Sequence, residues 1–304
     1  MTPLGVAGAT AVFFRERFPA YYILYAVLWS SAATSAAREL ADFDVDAADA
    51  GRFAAQTVAL LAALISLRLL DDLKDLPGDR AAHPQRPLPS GRATPAEFGA
   101  AAGFFAAAAL ALAYLSAGVV GAAALAVVLA YGIALWPLGR AIPHLERRPL
   151  LEMALTYPVQ VLATVFLLAS TYQRLEPGAA TPQIIWVFVF FAGAFLQFEV
   201  ARKSASAEGS AAGDYSDVLG VRGAAALSAA FSVLAVFGAI ILAHPWDTAP
   251  VFNVAGWLLP LTLIIPFDSL WNYARGERDR PSTASSALFL VLLYLCVSLL
   301  VLIG

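Results

Sequence analysis

Asp71, Asp75 and Asp79 recur at i, i+4 and i+8 in the stretch RLLDDLKDLPGD. On a helix those positions drift by only ~40° per step, so the three carboxylates line one edge. Asp72 with Asp75 and Asp79 is a nearly equivalent set, and spacing alone does not choose between Asp71 and Asp72. Pro77 and Gly78 are expected to break the helix before Asp79 and let that side chain fold back. Carboxylates this close repel unless something positive lies among them. Hard oxygen donors in such a cluster suit Mg²⁺, which keeps several waters and takes further ligands from substrate phosphates. Cations are at hand in Arg68 and Lys74, and in Arg86 and Arg92 of the following HPQRPLPSGR, which Pro84, Pro87 and Pro89 stiffen. Carboxylates and arginines at one mouth fit a magnesium-bridged phosphate better than either alone. The plainer alternative is a solvated loop in which Asp71 and Asp75 pair with Arg68 and Lys74, pairs worth about 0–1 kcal/mol each.

A second polar stretch, FEVARKSASAEGSAAGDYSDVLGVRG, carries Glu199 with Arg202 and Lys203 at i+3 and i+4. That spacing makes an ordinary helix salt bridge. It equally allows Glu199 to hold a second Mg²⁺ while Arg202 and Lys203 grip phosphate oxygens. Asp214 and Asp217 either add metal ligands or cap the helix that follows.

These motifs hang from an unusually apolar chain of 304 residues, 60% hydrophobic and 13% charged, against roughly 25% charged in a soluble domain. The apolar residues arrive in blocks of about 20, the length a helix needs to cross ~30 Å of hydrocarbon. The fold class is therefore all-α, a polytopic membrane protein. Nine segments qualify, near Phe18–Ala37, Phe53–Leu70, Glu97–Ala117, Val119–Leu138, Pro149–Thr171, Gln183–Phe198, Gly223–Ala243, Pro250–Ala274 and Ala284–Ile303. Gly118 and Gly121 imply a very short turn between the third and fourth. Residues 1–304 are expected to form one transmembrane domain, with segments 1–4 and 5–8 as a weak internal repeat and the ninth extra.

Basic residues set the expected orientation. Arg15, Arg17, Lys74, Arg80, Arg86, Arg92, Arg140, Arg147, Arg148, Arg202, Lys203, Arg222, Arg275, Arg278 and Arg280 fall on one side; Arg38, Arg52 and Arg174 fall on the other. The N-terminus and both polar motifs then face the cytosol, and the C-terminus faces outward. A formal charge of −3 and scattered cations exclude nucleic acid as a partner. Cys296 is the only cysteine, so disulfides and thiolate zinc sites are excluded. The first ten residues lack the basic start and apolar core of a cleavable signal. The acidic outward loop ADFDVDAADAG reads as a solvated connector.

Polar residues within the apolar blocks are few and should face a cavity or the bundle interior. Tyr131, Tyr157, Gln160, Phe195, Asp268 and Asn272 are the candidates to line a substrate cavity. Arg275 is close enough in sequence to neutralise Asp268. Most aromatics of the sixth segment, WVFVFFAGAFLQF, are packing or lipid-facing residues; any that line a cavity would favour a carbocation.

DDLKDLPGD with HPQRPLPSG resembles the first aspartate-rich motif and following loop of the UbiA superfamily of intramembrane prenyltransferases, a superfamily that includes terpene cyclases. FEVARKSASAEG…DYSDVLG is similar to the second polar motif of divergent members. The resemblance implies nine helices around a central cavity open sideways to lipid, and an isoprenoid diphosphate held through Mg²⁺ ions on the two motifs. Asp71, Asp75 and Asp79 match the first motif's metal ladder, Glu199 the leading acid of the second, and Arg86 the basic residue of the proline loop. Asp71 stands where the first motif usually has asparagine, and Lys203 stands where the second usually repeats an aspartate. The expected activity is Mg²⁺-dependent ionisation of the diphosphate and transfer of the prenyl group to a lipophilic acceptor. Asp71, Asp75 and Glu199 are the catalytic candidates, and Arg68, Lys74, Arg86, Arg202 and Lys203 bind the diphosphate. Intramolecular closure to a terpene is the runner-up. A transporter or lipid-binding scaffold is the rival from another class; the clustering of carboxylates at one face, with none pairing across the bilayer centre, speaks against it.

Overall fold

The computed structural model describes residues 5–41, 47–172, 184–206, 213–246 and 250–303. Arg174, Gln183 and parts of the acidic outward loop and of the second polar stretch lie outside them. Every described regular element is helical: α1 Gly5–Arg17, α2 Tyr21–Ala41, α3 Ala47–Ala82, α4 Pro95–Ala141, α5 Pro149–Thr156, α6 Pro158–Tyr172, α7 Ile184–Arg202, α8 Tyr215–Ala243, α9 Pro250–Trp257, α10 Ile264–Ala274 and α11 Thr283–Ile303. Among the described residues, six helical segments are long and apolar enough to cross a membrane. One of the six is α4, whose 47 residues would stretch about 70 Å if straight. It breaks at Ala117 and Gly118, where Gly118 takes φ 57° and ψ −151°, a conformation only glycine adopts without strain. The short turn expected at Gly118 is this break.

Proline interrupts two of the expected spans. The stretch 149–172 is α5 and α6 in succession, divided at Tyr157, because Pro158 has no N–H to continue the ladder. Likewise α9 and α10 are separated by a 3₁₀ turn, Leu259–Leu263, that contains Pro260. Pro77 behaves differently. The helix expected to stop before Asp79 runs through Pro77 and Gly78 to Ala82. Both residues are exposed, so water can satisfy the carbonyl that Pro77 leaves unbonded, and the turn survives. Asp79 therefore does not fold back; it continues the helical register.

The described residues divide into two compact units. The first gathers α1, α3 and α4 with flanking parts of α2 and α6. Its core joins Phe13 of α1, Leu69 of α3, Leu88 of the proline loop and Phe98 of α4, with the Phe13 and Phe98 rings edge to face at 5.8 Å. Ser66 ties α3 to α4 by donating to the Ala102 carbonyl at 2.9 Å. Helix α1 was not among the expected segments, being too short and too polar for a span. Ala9 and Phe13 nonetheless make it part of the core.

The second unit is built on α7 against α8. Gly193 and Gly238 let these backbones approach, as small residues do where helices pack without a hydrophobic drive between them. A Cβ on Gly193 would lie 2.5 Å from the Ala235 nitrogen, and one on Gly238 would lie 2.9 Å from the Phe190 nitrogen. Large apolar side chains point outward instead, among them Leu115 (71% exposed) and Val119 (72%) in the first unit and Ile264 (65%) in the second. That inversion suits hydrocarbon surroundings.

Gly193→Ala should push α7 from α8 and cost about 1–3 kcal/mol, read as a lowered midpoint of thermal unfolding in detergent. Gly103→Ala, where an added Cβ meets nothing within 4 Å, should leave the midpoint unchanged or raise it.

Candidate functional site

The end of α3 resolves which aspartate points inward, and helical phase explains the outcome. Asp72 and Asp79 are seven residues apart, only ~20° around the helix, whereas Asp71 and Asp75 share the neighbouring stripe. The inner stripe is buried, with Asp72 5% and Asp79 8% exposed, and each carboxylate meets an arginine. Arg17 of α1 donates Nε to Asp72 Oδ2 at 2.9 Å and Nη2 to Oδ1 at 2.6 Å, a fork-to-carboxylate pair. Arg68 adds a contact to Asp72 Oδ1 at 3.3 Å. Arg86 of the proline loop pairs with Asp79 at 2.5 Å. The outer stripe is about half exposed. Asp71 meets Lys74 at 3.0 Å and Arg68 at 3.6 Å, and Asp75 meets Lys74 at 3.7 Å.

Around these residues opens a cleft of about 480 Å³, lined by Lys74, Asp75, Pro77, Gly78, Asp79 and Arg140. Arg140, from the last turn of α4, joins the site across 61 residues; its sequence neighbours carry no motif, and only its place on the basic side of the chain hinted at a role. The proline loop is held by successive turns, with Ala93 N donating to Pro87 O and Gly91 N to Leu88 O at 3.1 Å. Gly91 supplies the φ of 73° that the turn needs. Arg92 clamps the loop to α1 through both Glu16 carboxylate oxygens, at 2.6 and 2.7 Å. Those hydrogen bonds hold the Glu16 carboxyl below its usual range. The bond to Asp72 likewise holds Arg17 above its ordinary value.

The second motif lies at the end of α7 in the second unit. Glu199 takes Arg202 at 2.7 Å and Lys203 at 3.1 Å, the i+3 and i+4 pairs expected of an ordinary helix. Lys203 also reaches Glu152 of α5 at 3.3 Å, a pairing across 51 residues that local spacing does not reveal. Asp217 accepts hydrogen bonds from the Gly213 and Asp214 backbone nitrogens at 3.1 and 3.2 Å, and with Asp214 forms a capping box at the start of α8. The capping alternative is thus realised. Among the described residues, no group of three His, Cys, Asp or Glu side chains converges to hold a metal.

The cavity candidates disperse. Tyr131 is half-buried on α4 in the first unit. In the second, the Tyr157 and Phe195 rings lie 6.2 Å apart, and Gln160 is buried. Asp268 lines an apolar groove of about 690 Å³ with Arg222, Phe267 and Trp271. Asn272 is half-buried, its carbonyl accepting from Glu277 N at 2.9 Å. The expected neutralisation of Asp268 by Arg275 does not form. Arg275 pairs instead with Glu277 at 3.1 Å and sits over the Trp271 ring, because it has passed the end of α10 and turned away.

No family model matches the chain, and no curated protein matches it significantly. Solved structures do match it in fold. An apo UbiA homologue from Aeropyrum pernix K1 aligns over 92% of this chain and 98% of its own, with a TM-score of 0.61 and 18% identity. The fold is that of UbiA. A digeranylgeranylglyceryl phosphate synthase aligns over 98% of both chains, with a TM-score of 0.62 and 12% identity. With six apolar spans among the described residues, the chain is an integral membrane protein. Within that UbiA fold the acidic motif occupies the end of α3, and the mixed acid–base motif the end of α7.

Asp217→Ala should lower stability by about 1 kcal/mol in thermal denaturation with a chelator present. A loss seen only when Mg²⁺ is added would return Asp217 to a ligand role.

Proposed function

We propose that the chain is an intramembrane prenyltransferase of the UbiA superfamily, acting on an isoprenoid diphosphate with Mg²⁺ and passing the prenyl group to a lipophilic acceptor. The observation that carries this reading is the cleft at the end of α3, where Asp75 and Asp79 stand with Lys74 and Arg140 on a UbiA fold. The aspartate-rich motif that resembles the family's first motif falls on this same helix end. In this reading nine helical passes cross the bilayer, with α4 supplying two, and α5–α6 and α9–α10 one each. The N-terminus and both motifs face the cytosol, and the C-terminus faces outward.

The donor set fits a hard cation of low protein coordination. Asp75 and Asp79 offer carboxylate oxygens at one opening, with Asp71 on the same stripe as Asp75, and would hold such an ion, which typically keeps waters and takes phosphate oxygens as its other ligands. When bound there, Mg²⁺ would supply charge neutralisation to a departing diphosphate. Lys74 and Arg140 hold its outer oxygens, and Arg86 keeps Asp79 oriented. The second motif contributes differently. Glu199 is already engaged by Arg202 and Lys203, so this motif by itself fits phosphate contact better than it fits a metal. Apolar walls exclude the water that would quench an allylic cation.

The altered second motif favours one further reading, closure of the cation onto its own chain to give a terpene. A single experiment addresses both. Purified protein is incubated with Mg²⁺ and prenyl diphosphates of several lengths, without acceptor, and then with a membrane lipid extract. Diphosphate release that requires the extract supports transfer; a cyclic hydrocarbon or alcohol without it supports cyclisation. No release under either condition overturns the proposal and leaves transport as the reading to pursue. Asp75→Asn should lower kcat/KM by about 100-fold, and Arg140→Gln should act mainly on KM, by about tenfold.

A further inference from the structure

Helix α1 has no part in the chemistry above, yet it spends two adjacent charged residues on the motif. Arg17 forks onto Asp72 of α3, while Glu16 forks onto Arg92 of the proline loop that carries Arg86. Phe13 anchors the helix beneath them, fully buried against Phe98. Both oxygens of Asp72 are taken, and its side chain is 6% exposed against 14% for Arg17. To meet a metal, Asp72 would have to abandon this fork and leave a buried guanidinium uncompensated. The outer aspartates carry no such commitment, since Asp71 and Asp75 meet only the flexible Lys74 and the longer Arg68 contact.

We propose that α1 is a positioning strap. Arg17 removes Asp72 from the ligand set as a fixed internal counter-ion, and so keeps that carboxylate from competing for the ion and turning α3 away from the register in which Asp71 and Asp75 face outward and Asp79 meets the cleft edge. Arg17 is thus a positioning residue. The inference deepens the prenyl diphosphate reading, and it departs from the sequence-equivalent set of Asp72, Asp75 and Asp79.

The test pairs a binding measurement with turnover. Mn²⁺ is titrated into purified protein with inorganic diphosphate, bound ion being followed by electron paramagnetic resonance; turnover is measured against Mg²⁺ concentration. Asp72→Asn alone should leave Mn²⁺ affinity within about threefold of wild type. Arg17→Gln should weaken Mn²⁺ and raise the Mg²⁺ needed for half-maximal rate by roughly tenfold, because the released Asp72 carboxylate competes for the ion and draws α3 out of register. Adding Asp72→Asn to Arg17→Gln should recover at least part of that loss, as a mismatched charge is removed, and Arg17→Lys should fall between. A tenfold weakening of Mn²⁺ by Asp72→Asn, with or without the Arg17 change, makes Asp72 a ligand and overturns the proposal. A wild type that binds no Mn²⁺ overturns it too. A wild type that binds Mn²⁺ but turns over no prenyl diphosphate overturns the enzymatic reading alone, and the binding arm still decides the strap. Where Arg17→Gln does not fold, Arg17→Lys takes its place, keeping the charge and losing the fork.

Discussion

A carboxylate at the end of an apolar helix must either reach water or be met by a cation, and the end of α3 meets both demands at once. Its inner aspartates are compensated by arginines that come from elsewhere in the chain, Arg17 from α1 and Arg86 from the proline loop. Its outer aspartates stay half exposed beside Lys74. The arrangement lets four acids crowd one helix end without mutual repulsion unwinding it. It also leaves a cleft in which acids and bases coexist, the condition for holding a dianion through a divalent ion.

The scaffold serves that site by controlling where backbones bend. Glycine at 118 folds the long α4 back on itself, and prolines 158 and 260 interrupt the later spans. Interrupted helices inside a membrane protein have to find partners for their freed carbonyls within protein or a polar cavity. Pro77 needs no such partner, because it stands at an exposed helix end. One residue type therefore interrupts two spans and is carried through helices elsewhere, at Pro77 and Pro137.

The two motifs are not equivalent. At α3 the acids outnumber what their immediate helix neighbours can neutralise, and distant arginines make up the difference. At α7 a single acid is outnumbered by Arg202 and Lys203, and Lys203 turns to Glu152 for a second partner. The chain thus has one acidic and one basic helix end, each balanced by partners of its own.

The apolar blocks, the acidic ladder and its arginine-rich loop were legible in the residues alone, because membrane crossing and charge clustering depend on composition and local spacing. So were the glycine turn at 118 and the helix salt bridge of Glu199, both local interactions. Helix α1 was not, since its core contacts rest on Ala9 and Phe13 meeting a helix some 85 residues away. Nor could spacing choose between Asp71 and Asp72, which stand on adjacent faces of one helix and differ only in what packs against them. Tertiary structure decided that choice by bringing Arg17 to one face, and it alone brought Arg140 beside Asp75, because pairings across long stretches of chain leave no trace in local pattern.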